Sequence, residues 1–193
     1  MITVAVVIIA TFAGVYVNLS RLSRDVEQMF YGGVYLESEG YLQPSINSQL
    51  ERQTDAALGL AVIMRNYPEL TVGVERLLST RNDLLDAEQI SLKGMLSINM
   101  QGEFYSLLHG ARSTDLSERD LDAATQLYET FSGSQTFVAR NAGPAYNDMA
   151  SRLRHEAGFP ANLISMIIPV GHPDNFAYSL PAMTYPDPSF VFP

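Results

Sequence analysis

The side chains that could do chemistry are few, and their spacing does not gather them. The three histidines are His109, His155 and His172, and none stands in a His-Glu-x-x-His or comparable metal-ligand spacing. His155 beside Glu156 reads as a solvated helix end. Asp83, Asp86 and Glu88 make an acidic cluster but lack the glycine and the oxygen-ligand spacing of a calcium loop, so they read as a solvated helix junction. The chain has no cysteine, which removes disulfides and thiolate metal sites. Serines are numerous, yet no nucleophile elbow, phosphate-cradling glycine loop or nucleophile-base pairing stands out. No catalytic residue, metal ligand or cofactor is expected, and the chain is read as a non-enzyme. A net charge of −9 with a single lysine, Lys93, argues against a nucleic-acid partner, which needs a basic face to displace counterions from phosphate.

What the sequence offers instead is apolar surface in unusual places. From Ile2 to Leu19 there is no charged residue, and the first charges are Arg21 and Arg24. A run of about 18 apolar residues is long enough to cross a hydrocarbon core as a helix. Met1 leads straight into the run, without the basic segment that opens a secretory signal, so residues 1–20 are expected to be an uncleaved single-pass anchor. The two arginines that follow place the bulk of the chain in the cytoplasm. Ala5, Ala10, Ala13 and Gly14 permit close helix approach within a membrane, with Ala10 and Gly14 the expected packing positions.

A second apolar stretch, Phe159 to Val170, is too short to span a bilayer and is interrupted by Pro160 and Pro169. Phe159, Leu163, Ile164, Ile167 and Ile168 are the candidate interaction residues. They either plug the end of the fold or meet lipid or another subunit.

These features must be positioned by helices, because helical periodicity dominates. The anchor helix is expected to continue through Leu22, Val26, Met29 and Phe30 until Gly32, Gly33 and Gly40 loosen it. Pro44 and Ser45 open a second segment with Ile46, Leu50, Ala57, Leu60, Ala61 and Met64 along one face, read as one kinked helix or two abutting helices from Ser45 to about Leu85, with Pro68 as the interruption. A third runs from Asp86 to Leu108 and carries Ala87, Ile90, Met95, Ile98, Tyr105 and Leu108, with Gly94 and Gly102 as weak points. The fourth begins at Asp115 and Ser117. It carries a stripe through Leu121, Ala124, Leu127, Tyr128, Phe131, Val138, Ala142, Ala145, Met149, Leu153 and Ala157. Pro144 should kink it, and Gly158 with Pro160 should end it. No segment alternates as a half-buried strand. The expected fold is all-α: a transmembrane helix (1–20) continuing into an antiparallel up-and-down bundle of about four long helices (21–158). An apolar loop and an irregular, Pro- and aromatic-rich C-terminal tail complete it (159–193).

A series of short blocks adds a resemblance. The order of the anchor, Asn18-Leu19-Ser20-Arg21-Leu22, Pro44, Ala87-Glu88-Gln89-Ile90, Glu103-Phe104-Tyr105, Ala139-Arg140, Tyr146-Asn147-Asp148 and Phe159-Pro160-Ala161-Asn162-Leu163-Ile164 resembles the LemA family, as a divergent member. Glu39 and Gly40 stand where that family carries a basic pair, and Leu153-Arg154 replaces its second Tyr-Asn. The resemblance implies a membrane-anchored antiparallel helical bundle in a bacterium, with no catalytic activity to carry over.

The functional expectation is a non-catalytic scaffold or self-associating interaction protein at a bacterial cell membrane. Its partners would be the lipid bilayer, further copies of itself and an unidentified protein. The alternatives are a membrane-tethered sensory or ligand-binding bundle and, behind it, a pilin-like filament subunit, which lacks the early glutamate of such helices.

Overall fold

The computed structural model describes residues 2–36, 40–156 and 176–178, and for residues 2–9, 12, 35, 36, 41 and 156 the backbone alone. Helix α1 (Ile2–Tyr31) is a single helix of 30 residues that passes position 20 without a break. At 1.5 Å per residue it is about 45 Å long. Val15, Leu19, Leu22, Val26 and Phe30, at steps of three and four, form the face that enters the core. Among the described residues no helix is long and apolar enough to cross a membrane. Half of the side chains of the apolar run, those of residues 2–9 and 12, lie outside the described ones, so the anchor is an expectation from the sequence.

Gly33 ends the helix with a φ of 80°, in a position where any Cβ would run into the carbonyl oxygen of Gln43. It feeds strand β1 (Val34–Leu36), which pairs antiparallel with β2 (Tyr41–Gln43), Val34 opposite Gln43 and Leu36 opposite Tyr41. This hairpin is not among the expected elements. Three residues per strand are too few for alternation to register, and the sequence signal lay in the turn glycines.

Ser45 then caps α2 (Ile46–Met64), its hydroxyl accepting from the Ser48 N–H at 3.0 Å. Pro68–Leu70 form a 3-10 turn, and α3 (Thr71–Asp86) follows. The single kinked helix expected as one option over this stretch is in fact an antiparallel pair. The Arg81 Nε donates to the carbonyl of Thr54 at 2.9 Å, which requires the chain to have doubled back. The reversal comes from Pro68, whose neighbour Tyr67 is extended (φ −114°, ψ 104°), as the residue before a proline prefers.

Helix α4 (Ile90–Ala111) starts four residues later than the expected Asp86, which closes α3 instead. Its end lies beside the start of α3, since Gly110 approaches Leu70 and Gly73 approaches Leu107. The buried face is Gly94, Met100, Phe104, Leu107, Leu108 and Ala111. Met95, expected on the apolar face, is exposed.

Helix α5 (Glu118–Phe137) opens on Ser117, which accepts from the Asp120 N–H at 3.2 Å. Tyr67, in the α2–α3 turn, clamps the same end. Its hydroxyl donates to Asp120 Oδ2 at 2.7 Å and accepts from the Ser117 N–H at 3.1 Å. These hydrogen bonds, the Tyr67 one foremost, hold the Asp120 carboxyl below its ordinary pKa, with Arg119 helping. Since the end of α2 meets the start of α5, the two helices are antiparallel. Helix α4 meets α5 through aromatic rings: Phe104 and Phe131 stack with centroids 4.0 Å apart and planes 12° apart.

Past Phe137 the helix does not stop. Val138–Ala142 form a π turn, the Gly143 N–H reaching back five residues to the Val138 carbonyl, and α6 (Gly143–Glu156) continues from it. Pro144 has no N–H to contribute and its ring crowds the preceding turn, and where the sequence suggests a kink the structure shows a widened turn. The wide turn adds one residue to the register. Ala145, expected in the apolar stripe, is therefore exposed and Tyr146 is fully buried.

Two apolar cores result. One lies among α2, α3, α4 and α5, and the other joins α1, the start of α2, the π turn, α6 and Phe176. Between them sits a polar layer of Gln53 and Thr54 on α2 with Ser134 and Gln135 on α5, all buried. Tyr105 on α4 donates to Gln135 Oε1 at 3.0 Å. Burial, with Tyr128 nearby, pushes the Tyr105 phenol above its ordinary pKa, so it stays a neutral donor. Gln135 Nε2 has no partner among the described residues. The stop expected at Gly158 and Pro160 lies outside the described residues.

Two outcomes are expected. Phe131→Ala removes a fully buried ring and its stacking partner, and should cost about 3–5 kcal/mol in denaturant unfolding. Tyr67→Phe removes the largest influence lowering the Asp120 pKa. That contribution to stability is present above the ordinary carboxylate pKa of about 4 and is lost as pH falls through the lowered folded value. The variant should therefore be less stable at neutral pH, and the gap should narrow in acid; parallel melts from pH 7 to pH 2 measure it.

Candidate functional site: a slot for an extended peptide

The residues expected to interact fall into two sets. Phe159, Leu163, Ile164, Ile167 and Ile168 lie outside the described residues. Ala10 and Gly14 lie on α1 and are exposed, as are Thr11, Ala13 and Val17. The titratable candidates stay apart: His109 and His155 are exposed in the last turns of α4 and α6, and Asp83, Asp86 and Glu88 line the exposed α3–α4 junction. Among the described residues no three His, Asp or Glu side chains come together as metal ligands would. The depression over Glu118, Arg119, Asp122, Ala123 and Gln126 is an open stretch of α5 surface.

The arrangement that is built to hold something is elsewhere. Phe176, Ala177 and Tyr178 lie across α6, α1 and α4, without helical or strand structure of their own. The Asn147 side chain grips the main chain of Phe176 at both polar atoms: Nδ2 donates to the Phe176 carbonyl at 2.9 Å, and the Phe176 N–H donates to Oδ1 at 2.9 Å. A carboxamide used this way offers a peptide the same donor and acceptor pair as a neighbouring strand.

The ring of Phe176 is 1% exposed. It packs beside Phe30 of α1 with centroids 5.7 Å apart, and Phe30 in turn meets Tyr146 edge-on at 5.8 Å. A fully buried aromatic of this size contributes on the order of 1.5–3 kcal/mol.

Two glycines make room for the rest. A Cβ on Gly94 would lie 2.5 Å from the Ala177 nitrogen and 2.6 Å from its carbonyl oxygen. A Cβ on Gly143 would lie 2.7 Å from the Tyr178 ring. The slot therefore has an amide clamp, an aromatic pocket and a bare floor, and it recognises main chain plus one ring. Among the described residues it carries no convergent acid, base or nucleophile.

No family model, curated protein or solved structure matches the chain. The slot must be read from its own geometry.

Reasoning from sequence touched each of its parts for other reasons. Gly94 stood out as a weak point in a helix, Tyr146-Asn147 as part of a resemblance, and Gly143-Pro144 as a kink. Nothing in a one-dimensional pattern links α4 to α6 across some fifty positions, nor shows that an irregular tail returns to both. Of the irregular tail, expected to pack on the bundle or on a neighbour, Phe176–Tyr178 lie on the bundle, and the remainder of 159–193 lies outside the described residues.

Asn147→Ala forfeits two hydrogen bonds of about 0.5–1.5 kcal/mol each. Chymotryptic cleavage after Phe176, followed by mass spectrometry, should then speed up by roughly ten- to a hundredfold, while cleavage within α2 to α5 stays slow. Unchanged cleavage after Phe176 would show that the clamp does not hold the segment.

Proposed function

We propose that the chain is a membrane-anchored helical scaffold that self-associates at a bacterial membrane and has no catalysis of its own. The observation that carries this reading is the division of α1. Its later half is buried against α6 through Leu19, Val26 and Phe30, whereas Ala10, Thr11, Ala13, Gly14 and Val17 are exposed, the last at 63%. Among the described residues nothing covers that stretch. It belongs to an uncharged run from Ile2 to Leu19, which as a helix has about the length of a bilayer's hydrocarbon core.

Lipid is the occupant that suits such a surface. Ala10, Ala13, Gly14 and Val17 recur at helical spacing, so one face of the run is lined by small side chains, and that favours helix-helix contact between copies within the membrane. Arg21 and Arg24 support a cytoplasmic bundle. The ordered blocks that resemble the LemA family support the same reading as analogy. Continuity of α1 through position 20 makes the bundle a rigid extension of the anchor rather than a domain on a linker, which suits a scaffold.

The packing also says where to cut. Leu19 is 2% exposed, and Val15 and Tyr16 pack on the same core, so removing residues 1–20 would damage the bundle. Deleting residues 2–14 should leave a helical, cooperatively melting chain in the soluble fraction after alkaline extraction. Membrane sedimentation of the deleted chain as firm as that of the full one would refute the anchor.

A further inference from the structure

The slot of Asn147, Gly94 and Gly143 is occupied by residues 176–178, and nothing in its chemistry requires them to come from the same copy. We infer that it is an exchange site, in which the Phe176–Tyr178 segment of a second copy of this chain docks and links neighbouring bundles. This inference rests on the reading above insofar as α1 gathers copies at one surface.

Three observations support it. First, recognition is through the Phe176 main chain, one buried ring and two glycine contacts, and a tail from another copy makes all of these identically. Such swapping of an identical element costs no contacts. Second, the tether is long. From Asn147 to Glu156, α6 carries the chain only about 14 Å from the slot, whereas the stretch 157–175 can span up to about 65 Å. That reach exceeds the return to its own slot several times over and covers a neighbour's slot one helix-packing distance away. Third, exposed Ala10, Ala13 and Gly14 allow α1 helices to pack side by side. The second tail is then held at high effective concentration near the first slot.

A complementation experiment on full-length chains in mixed micelles tests this. One copy, isotopically heavy, carries Gly94→Val, which blocks its slot and leaves its tail intact. The other carries Phe176→Ala, which spoils its tail and leaves its slot intact. Cleavage of the heavy copy after Phe176 by chymotrypsin is followed by mass spectrometry, alone and with the light copy in excess.

Exchange predicts rapid cleavage of the heavy tail alone and a several-fold slowing when the partner with the open slot is added. A cleavage rate indifferent to the partner overturns the inference. Asn147→Ala in place of Gly94→Val, and Phe176→Ser in place of Phe176→Ala, are the second variants should either first variant melt abnormally, and the same slowing is required of them. Copies meet in micelles whether or not α1 spans a bilayer in cells. Failed protection therefore refutes exchange alone, and the anchor is judged separately by the fractionation of the 2–14 deletion.

Discussion

A proline without an N–H, placed in the middle of a long helix, organises the second half of this molecule. Pro144 cannot complete the ordinary ladder, and the chain answers with the wide turn at Val138–Ala142 instead of a break. Buried positions before the turn follow alternating steps of four and three: Ala124, Tyr128, Phe131, Gln135, Val138. Through it they follow successive steps of four: Val138, Ala142, Tyr146, Ala150. In a regular helix, repeated steps of four carry a stripe round the axis by about 40° each. The added residue in the turn absorbs that drift. One rod can thus serve the α2–α3–α4 core on one side of the turn and the α1 core on the other.

The slot follows from the same constraint. Widening the turn brings Tyr146 inward to meet Phe30, and that sets Asn147, the next residue, at the border of the core, half-buried and able to reach a chain lying on the surface. Gly143 sits at the junction, where the Tyr178 ring passes too close for any side chain. With an ordinary α turn, Ala145 would face inward, as its helical spacing suggests, and the amide of Asn147 would point elsewhere.

Legibility in the sequence divides along this line. Features set by local chemistry were readable: the caps at Ser45 and Ser117, the end of α1 near Gly32 and Gly33, and the apolar face Ile46, Leu50, Ala57, Leu60, Ala61 and Met64, all of it buried. Features set by distant partners were not. Pro68 reverses the chain because Tyr67 can fasten the turn to Ser117 and Asp120, some fifty residues on. Gly94 looked like a flaw in α4, and its reason is the backbone of Ala177. The apolar stripe skips from Phe131 to Val138, and the structure fills that interval with buried Ser134 and Gln135.

That polar layer gives the antiparallel packing its register. A purely apolar contact between α4 and α5 would tolerate sliding by a turn, because each such residue accepts many neighbours. Gln135 does not, since a buried amide moved away from the Tyr105 hydroxyl would leave Oε1 without its hydrogen bond, at about 1–3 kcal/mol for a buried group left unsatisfied. A slip by one turn would also part Tyr67 from Asp120 at one end of α5 and disturb the packing of Phe30 on Tyr146 at the far end of the rod. The layer holds α5 in place along its axis, α5 carries α6 through the wide turn, and α6 holds Asn147 opposite Gly94. The geometry of the slot is therefore fixed by polar contacts about 10 Å or more away along the same helix.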